Sequence, residues 1–361
     1  MQPKENYEKD IIWKKCTSVE NLKSMNDFCV KPRRRGRSLL IVEGKHEKNQ
    51  LFWLIFKCFP ELNIDFDDVW IYGTNIYKLY DDIQKEYGEN WVDDDLDIDL
   101  PLVISKKENF DTKSYRNEFT NIILGFDYER HDPSFSETKI LKMQEIFMDS
   151  TDMGKLYLNY PMIESYLHFK GNVDEQYMDR KISVTLRPGS KYKNMVKKES
   201  YIMDAIKFPH KIDDVLEKKC HINKQKRIEC CESILSLKSN EMKDKLDKIL
   251  EIVGDVKQGK TLKFLLIDWV SKLNYFNDNM SYWEYMRAVF RNIVFYNIKK
   301  AAKIQHVDDT VNDIREQFDC IDLTEILKNQ NGVSKDEING FIWVLSTCVF
   351  LIPDYNFNLL Q

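Results

Sequence analysis

The first half of the chain alternates short apolar runs with segments of helical spacing. Residues 39–42 and 122–126 are almost wholly apolar, which is typical of strands buried on both faces of a parallel sheet. Residues 69–72 and 155–160 are similar in length and character. These four runs predict four strands.

Helices are predicted between and after these strands. Apolar residues recur at helical spacing over residues 46–59 and again over residues 76–88, where a proline and a glycine respectively mark the ends. A third helix is predicted to open at Ser134, which has capping-box spacing to Glu137, and to reach about Met148. Strands that alternate with helices predict an α/β fold with a parallel sheet.

From about residue 171 onward, the apolar spacing is helical almost throughout. Residues 242–253 and 262–273 each form one apolar stripe, and Ser281 starts a second capping box that opens an aromatic-rich helix. The apolar run at residues 340–353 is too short to span a bilayer, so we predict a buried terminal helix there. A mainly helical C-terminal domain is expected.

Composition narrows the class of protein. With 361 residues, of which 43% are hydrophobic, the chain can form two domains with cores of their own. Its net charge of −5 gives no global positive field for nucleic acid, so any such contact has to come from local clusters. Eight cysteines without a C-x-x-C pair, and a charged N-terminus, predict a reduced cytoplasmic protein with no zinc site and no membrane segment.

Carboxylates follow two of the predicted strands at the point where each strand ends. Glu43 follows the first strand, and Asp127 and Glu129 follow the strand at residues 122–126. Asp127 and Glu129 are two apart and would point to the same side of an extended backbone. Convergent carboxylates repel one another unless a hard cation lies between them. The pattern predicts a Mg²⁺ or Mn²⁺ site, with a solvated acidic turn as the alternative.

Other acids lie near these strand ends or in a separate insert. Asp132 lies beyond a turn, and Glu164 comes just after the strand at residues 155–160. Glu164 suits a metal site and suits equally a first-turn acid that interacts with a helix dipole. The insert at residues 91–99 contains five acids and is either a second metal cluster or, more typically for such a composition, a solvated loop.

Basic residues cluster in three segments, at residues 31–37, 187–198 and 218–227. Each segment could be a solvated linker or polar helix face, or could contact the phosphates of a nucleic acid. Two further basic residues adjoin the predicted acids. The candidate nucleic-acid contacts are Lys45, Arg130, Lys191, Lys193, Lys224 and Arg227.

The order of these motifs resembles a TOPRIM domain, the metal-binding fold of topoisomerases, primases and OLD-family nucleases. The resemblance covers residues 36–170 and rests on a strand followed by Glu43, a βαβ unit, the D-x-E pair of Asp127 and Glu129, and the later Glu164. The family's second motif is usually D-x-D, so Glu129 keeps the carboxylate on a longer side chain. Residues 127–133 and 159–165 most resemble the OLD-like effectors of two-gene phage-defence systems of the PARIS and AbiL types.

The resemblance implies a Rossmann-like TOPRIM sheet domain at residues 37–170, preceded by an extension with a basic linker at residues 1–36 and followed by a helical domain at residues 171–361. It implies that one or two Mg²⁺ or Mn²⁺ ions are used to hydrolyse phosphodiesters of tRNA or of DNA. The implied ligands are Glu43, Asp127, Glu129, Asp132 and Glu164.

The resemblance also implies a partner, an ABC-type ATPase that keeps the nuclease inactive until infection is sensed. The chain has no Walker loop of its own. The helical domain would form a homodimer, select substrate or dock the ATPase, with residues 282–296 and 341–352 as candidate docking surfaces and the protein core as their alternative role. The competing interpretation of the whole chain is a non-catalytic TOPRIM-like binding module whose acids are structural.

Overall fold

The computed structural model describes residues 37–92, 96–108, 113–187, 189–218, 220–241, 256–271, 279–307, 311 and 313–361. Several predictions lie outside the described residues: the N-terminal extension with its basic linker up to residue 36, the acids Asp93, Asp94 and Asp95, and the apolar stripe at residues 242–253. The described chain divides into two compact units. One contains the described residues from 37 to 200 and from 291 to 361, and the other contains those from 201 to 290.

The first unit is built around a mainly parallel sheet. Its strands run in the order β2-β1-β3-β5-β4, and β8 also pairs with β5. The pairs β1–β2, β1–β3 and β3–β5 are parallel, whereas β4 and β8 are antiparallel to β5. A separate two-stranded sheet joins β6 to β7. The strands are β1 (Arg37–Val42), β2 (Val69–Ile71), β3 (Phe119–Asp127), β4 (Met148–Asp149), β5 (Gly154–Tyr160), β6 (Lys181–Ser183), β7 (Phe341–Trp343) and β8 (Leu345–Ser346).

Helices connect these strands and make up most of the second unit. A π-helical turn, Glu47–Phe52, precedes the first α-helix. The helices are α1 (Trp53–Cys58), α2 (Ile76–Tyr87), α3 (Leu100–Lys107), α4 (Glu137–Ile146), α5 (Ser190–Glu199), α6 (Met203–Lys218), α7 (Lys224–Leu235), α8 (Val256–Ser271), α9 (Tyr282–Ile304), α10 (Ile314–Asp319), α11 (Leu323–Ser334) and α12 (Leu351–Asn356). The structure is therefore α/β, as the alternating pattern predicts.

The four predicted strands are β1, β2, β3 and β5 of the sheet. Their apolar residues form its core, and Leu39 to Val42 on β1 are fully buried. Helix α2 begins where Asn75 accepts a hydrogen bond from the Lys78 N–H, and it ends at Gly88, whose φ of 94° suits glycine alone without strain. Local periodicity and end signals were sufficient for these elements.

Two helix starts differ from the prediction or were missed by it. Helix α4 is capped by Ser136, which accepts from the Lys139 N–H at 3.3 Å, and not by Ser134. The Ser134 hydroxyl has other partners, since it accepts from the Asn75 side-chain amide at 3.1 Å and donates to Asp132. Helix α3 was not predicted. Its cap is Asp99, an acid of the insert at residues 91–99, so this acid has a structural role.

The apolar C-terminal run forms strands before it forms a helix. The prediction of one helix over residues 340–353 is wrong for its first half, which contains β7 and β8. Strand β8 pairs with the end of β5. The backbone N–H and C=O groups of β8 thereby find hydrogen-bond partners in the central sheet, and that edge of β5 is covered. The sheet unit therefore contains residues 291–361, which the sequence analysis groups with the helical region.

Most apolar residues of the candidate docking surfaces are buried, whereas Trp283, Phe295 and Tyr296 are partly exposed. Tyr282 and Phe290 on α9, and Val344 and Ile352 in the C-terminal run, are all fully buried. The capping box that opens α9 is confirmed, since the Ser281 N–H donates to Glu284 at 2.7 Å and the Glu284 N–H donates to the Ser281 hydroxyl at 3.2 Å. In the described ranges, none of the helices has both the length and the apolar character needed to cross a bilayer.

Candidate metal centre

Glu43 and Asp127 meet at the carboxyl ends of two adjacent parallel strands. Strand β1 has β2 on one side and β3 on the other, so the connections from β1 and β3 lead in opposite directions across the sheet. Ligands of open α/β sheets bind at such a reversal. The Glu43 N–H donates to the Gly125 carbonyl at 3.3 Å, and a Glu43 carboxylate oxygen lies 3.4 Å from the Asp127 N–H that donates to it.

Burial and mutual repulsion make both carboxylates costly to ionise. Burial, followed by the charges of Glu129 and Glu47, raises the pKa of Glu43 to about 8. Asp127 is only 3% exposed. Burial raises its pKa well above the ordinary range, and the charges of Glu47, Glu43 and Glu129 raise it further. A cation among these groups would remove much of this cost.

Glu47 is a member of the centre that the sequence analysis missed. It lies in the π-helical turn, is 5% exposed, and accepts a hydrogen bond from the Gly44 N–H at 2.8 Å. Burial raises the pKa of Glu47, with a smaller contribution from the charge of Glu164. Its position four residues after Glu43, on the same helix face as the buried Leu51, was the available signal.

Glu129 lies beyond the end of its strand, and not on an extended backbone as predicted. Strand β3 ends at Asp127, and Glu129 has a left-handed φ of 39°, so the argument that alternate residues of an extended strand share a side does not apply. Its charge nevertheless raises the pKa of Glu43 and Asp127. Burial and the charge of Asp132 raise the pKa of Glu129, and Lys193 opposes that rise. Glu129 is therefore near enough to the other acids for its charge to affect them.

Asp132 and Glu164 occupy different positions around these carboxylates. One oxygen of Asp132 accepts from the Ser134 N–H at 2.7 Å and from its hydroxyl, so this oxygen holds a turn. Glu164 lies in the short helical turn Ile163–Leu167 and is 9% exposed. Its Oε1 lies 3.5 Å from the Lys193 ammonium, whereas its Oε2 is buried without a hydrogen-bond partner. A buried carboxylate oxygen without a protein donor can accept from water or bind a cation.

The donors fit a hard divalent cation in chemical kind. All are carboxylate oxygens, which Mg²⁺ and Mn²⁺ prefer, and Glu164 offers an unsatisfied buried oxygen. Across the described part of the chain, however, no three or more His, Cys, Asp or Glu side chains are arranged as they would be to hold a metal ion. Water and substrate oxygens would have to supply the other ligands.

Four of the predicted nucleic-acid contacts lie in the same unit as the acids: Lys45, Arg130, Lys191 and Lys193. Arg130 follows Glu129 directly, is half-buried, and places its guanidinium 4.4 Å from the centre of the Phe135 ring. Lys191, on the exposed side of α5, and Lys45, just after Glu43, are both exposed. Lys45 and Arg130 lie close in sequence to the acids, and Lys193 contacts Glu164 at 3.5 Å.

Lys224 and Arg227 lie on α7 in the second unit, and only the first is exposed. Arg227 is 5% exposed, and its guanidinium pairs with Asp213 at 2.6 Å and with Glu217 at 2.9 Å. The prediction that Arg227 contacts a phosphate is therefore corrected. Its charge is already neutralised by α6, against which α7 packs, and burial keeps it from a nucleic-acid backbone.

The chain was compared with protein-family models, with curated proteins and with solved structures, and none of these comparisons gave a match. The resemblance to a TOPRIM domain thus rests on the order of motifs in the sequence alone. The geometry of this chain's own residues has to support any functional conclusion.

Proposed function

We propose that this chain is a metal-dependent nuclease that hydrolyses phosphodiester bonds of tRNA or of other nucleic acid, and that it acts as a toxic effector of antiviral defence. The supporting observation is the pair of Glu43 and Asp127, which lie together at the reversal of strand order without a cationic partner for Asp127 among the described side chains. Buried acids that share a site and lack a counter-charge are typical of a cation site.

Each side chain has a role in this proposal. Glu43 and Asp127 would hold the ion, with Glu47, Glu129 and Glu164 as further donors around them. Bound Mg²⁺ or Mn²⁺ supplies an activated water and stabilises the charge of the leaving oxygen. Lys193 and Arg130 would neutralise the substrate phosphates and orient them towards the acids. Glu47 is an additional donor in this proposal, since it is not among the ligands that the resemblance to TOPRIM domains implies.

A partner belongs to the proposal because an unregulated nuclease would kill the cell that makes it. We expect an ABC-type ATPase of the same defence system to hold the nuclease inactive in the cytoplasm, where tRNA and ATP are both present. The buried aromatic residues of α9 serve the core, so docking would use another surface. A homodimer is also proposed.

The second candidate function is a non-catalytic binding module. It is favoured by the absence, within the described residues, of three acids in a metal-holding arrangement, and by the use of one Asp132 oxygen in a turn. On this interpretation the acids are structural and the C-terminal helices bind a partner. Cleavage of nucleic acid that needs Mg²⁺ would separate the two functions.

The decisive experiment sequences the RNA and DNA ends from cells that express the wild-type chain, Asp127→Asn or Glu89→Gln. Glu89 is an exposed loop acid and provides a control for the same loss of charge. We expect new ends with wild type and Glu89→Gln and none with Asp127→Asn. Equal cleavage by all three chains, or no cleavage by any, would refute the nuclease proposal.

A further inference from the structure

Three buried polar side chains form a row across the central sheet, and one of them is Asp127. In the strand register, Asp127 on β3 pairs with Asn159 on β5, and Asn159 pairs with Ser346 on β8. Asn159 and Ser346 are fully buried, and Asp127 is 3% exposed. Paired residues on neighbouring strands place their side chains next to each other, so the row connects the C-terminal segment to the centre.

The hydrogen bonds in this row have a defined direction. The Ser346 hydroxyl donates to Asn159 Oδ1 at 2.7 Å, and Asn159 Nδ2 donates to Asp127 Oδ1 at 3.2 Å. An amide whose oxygen accepts from a serine presents its NH₂ group on the other side. Ser346 therefore fixes the orientation in which Asn159 can donate to a carboxylate.

Ser346 is itself held by helix α9. Its backbone N–H donates to Asn297 Oδ1 at 2.8 Å, and the Tyr177 hydroxyl donates to the same oxygen at 2.8 Å. The Asn297 NH₂ group donates to the Ile293 carbonyl at 2.8 Å, which sets the amide orientation. The row is thus part of a continuous buried network in which these donors and acceptors are paired.

We propose that Asn159 and Ser346 are positioning residues for the metal ligand Asp127, with Ser346 acting through Asn159. The inference rests on the proposed metal-dependent function. The hydrogen bond to Asp127 Oδ1 restricts rotation of the carboxylate, so that the ligand is oriented before the ion arrives. Loss of an outer partner of this kind lowers metal affinity or activity by about ten- to a hundred-fold.

A purely structural role makes a different prediction. If the row only satisfies buried polar groups, its disruption should lower the midpoint of thermal unfolding and leave the affinity of the folded protein for metal unchanged. Ser105 provides the matched control. It is 1% exposed and its hydroxyl donates to the Leu102 carbonyl of α3, so it takes no part in the row of Asp127, Asn159 and Ser346. Ser105→Ala removes an equally buried hydroxyl.

The test measures Mn²⁺ and Mg²⁺ binding by calorimetry on the purified full-length wild type, Ser346→Ala, Ser346→Thr, Asn159→Leu, Ser105→Ala and Asp127→Asn. We expect about ten-fold weaker binding for Ser346→Ala, a larger loss for Asn159→Leu, recovery in Ser346→Thr, and wild-type affinity for Ser105→Ala. Circular dichroism shows which variants are folded, and Ser346→Ala, the smallest change, keeps the test usable if Asn159→Leu does not fold.

The possible results separate the two proposals. If wild type binds metal, Asp127→Asn does not, and folded Ser346→Ala binds as wild type does, the positioning role is overturned while the metal site stands. If Ser346→Ala and Ser105→Ala weaken binding equally, the effect is general loss of packing and the positioning role is again overturned. If wild type binds neither ion, the metal-dependent function fails and the inference fails with it.

Discussion

A carboxylate oxygen of Glu43 accepts a hydrogen bond from the backbone N–H of Asp127 at 3.4 Å, which joins the ends of two parallel strands that are 84 residues apart in the chain. The contact brings two acids into a region where neither is well solvated. Burial and the charge of Glu43 raise the pKa of Asp127, and burial raises the pKa of Glu43 although the Asp127 N–H opposes that rise. The protein therefore holds negative charge at one edge of its sheet at a cost in stability.

The first prediction concerns stabilisation by metal. Mg²⁺ at a hundred times its dissociation constant should raise the free energy of unfolding of the wild type by about 2.7 kcal/mol. Glu43→Gln should lose most of this gain, and its metal-free stability should equal or exceed that of wild type because a repelling charge has been removed. Chemical unfolding with and without Mg²⁺ measures both quantities. Glu89→Gln, an exposed control, should respond as wild type does, and an undiminished gain in Glu43→Gln would exclude it as a ligand.

The second prediction concerns pH. Burial holds the pKa of Glu43 at about 8 in the folded protein, above the value near 4.3 typical of an unfolded chain. Between these values the folded state binds more protons than the unfolded state, so the stability of the metal-free protein should fall as pH rises from about 4.5 to 8. Urea unfolding in EDTA across this range measures the slope. In Glu43→Gln the slope should be shallower, and an equal slope in the two proteins would contradict the assignment.

The third prediction concerns nucleic-acid binding. Lys191→Gln and Lys193→Gln should each weaken binding for all sequences, and each should reduce the slope of log affinity against log salt by roughly 0.7 to 0.9. Fluorescence anisotropy with a labelled RNA at several salt concentrations measures this. Lys85→Gln changes an exposed lysine at the end of α2 and serves as the control. Slopes that match the control would assign both lysines to the solvated surface.

The fourth prediction distinguishes Arg227 from these lysines. Arg227→Met leaves Asp213 buried without its partner, and removal of one member of a buried ion pair costs about 3–5 kcal/mol. Because Asp213 and Arg227 both lie within the second unit, the double change Asp213→Leu with Arg227→Met should recover much of the lost stability. Thermal and urea unfolding provide the measurement. Failure of the double variant to recover would show that packing, and not charge pairing, dominates at this site.

The fifth prediction concerns regulation. Expression of the wild-type chain alone should inhibit growth, and co-expression with an ABC-type ATPase encoded next to it should restore growth and give a complex that co-purifies. Asp127→Asn should be harmless alone and should still bind the ATPase, because the acid lies in the sheet core and not on the surface. A wild-type chain that is harmless at high expression and captures no ATPase would contradict the regulated-effector proposal.

Local pattern by itself determined the four strands that pair in parallel, β1, β2, β3 and β5, and the position of the first acids. The apolar runs at residues 39–42 and 122–126 are too short for a typical helix and alternate with helical segments, so β1 and β3 could be placed, and with them Glu43 and Asp127 at the strand ends. The capping box at Ser281 is equally local and was found for the same reason. Each of these features depends on residues only a few positions apart, whose geometry the backbone fixes directly.

Only the tertiary structure decided which distant side chains meet. Ser346 reaches Asn159 across 187 residues because β8 pairs with β5, and nothing in the apolar run at residues 340–353 distinguishes a strand from a helix locally. From the sequence, Arg227 was expected to be an exposed charge, whereas in the structure it forms an ion pair with Asp213 of α6. Strand pairing and helix packing bring together groups that no sequence period connects, and burial then determines which charges are exposed to solvent and which need a partner.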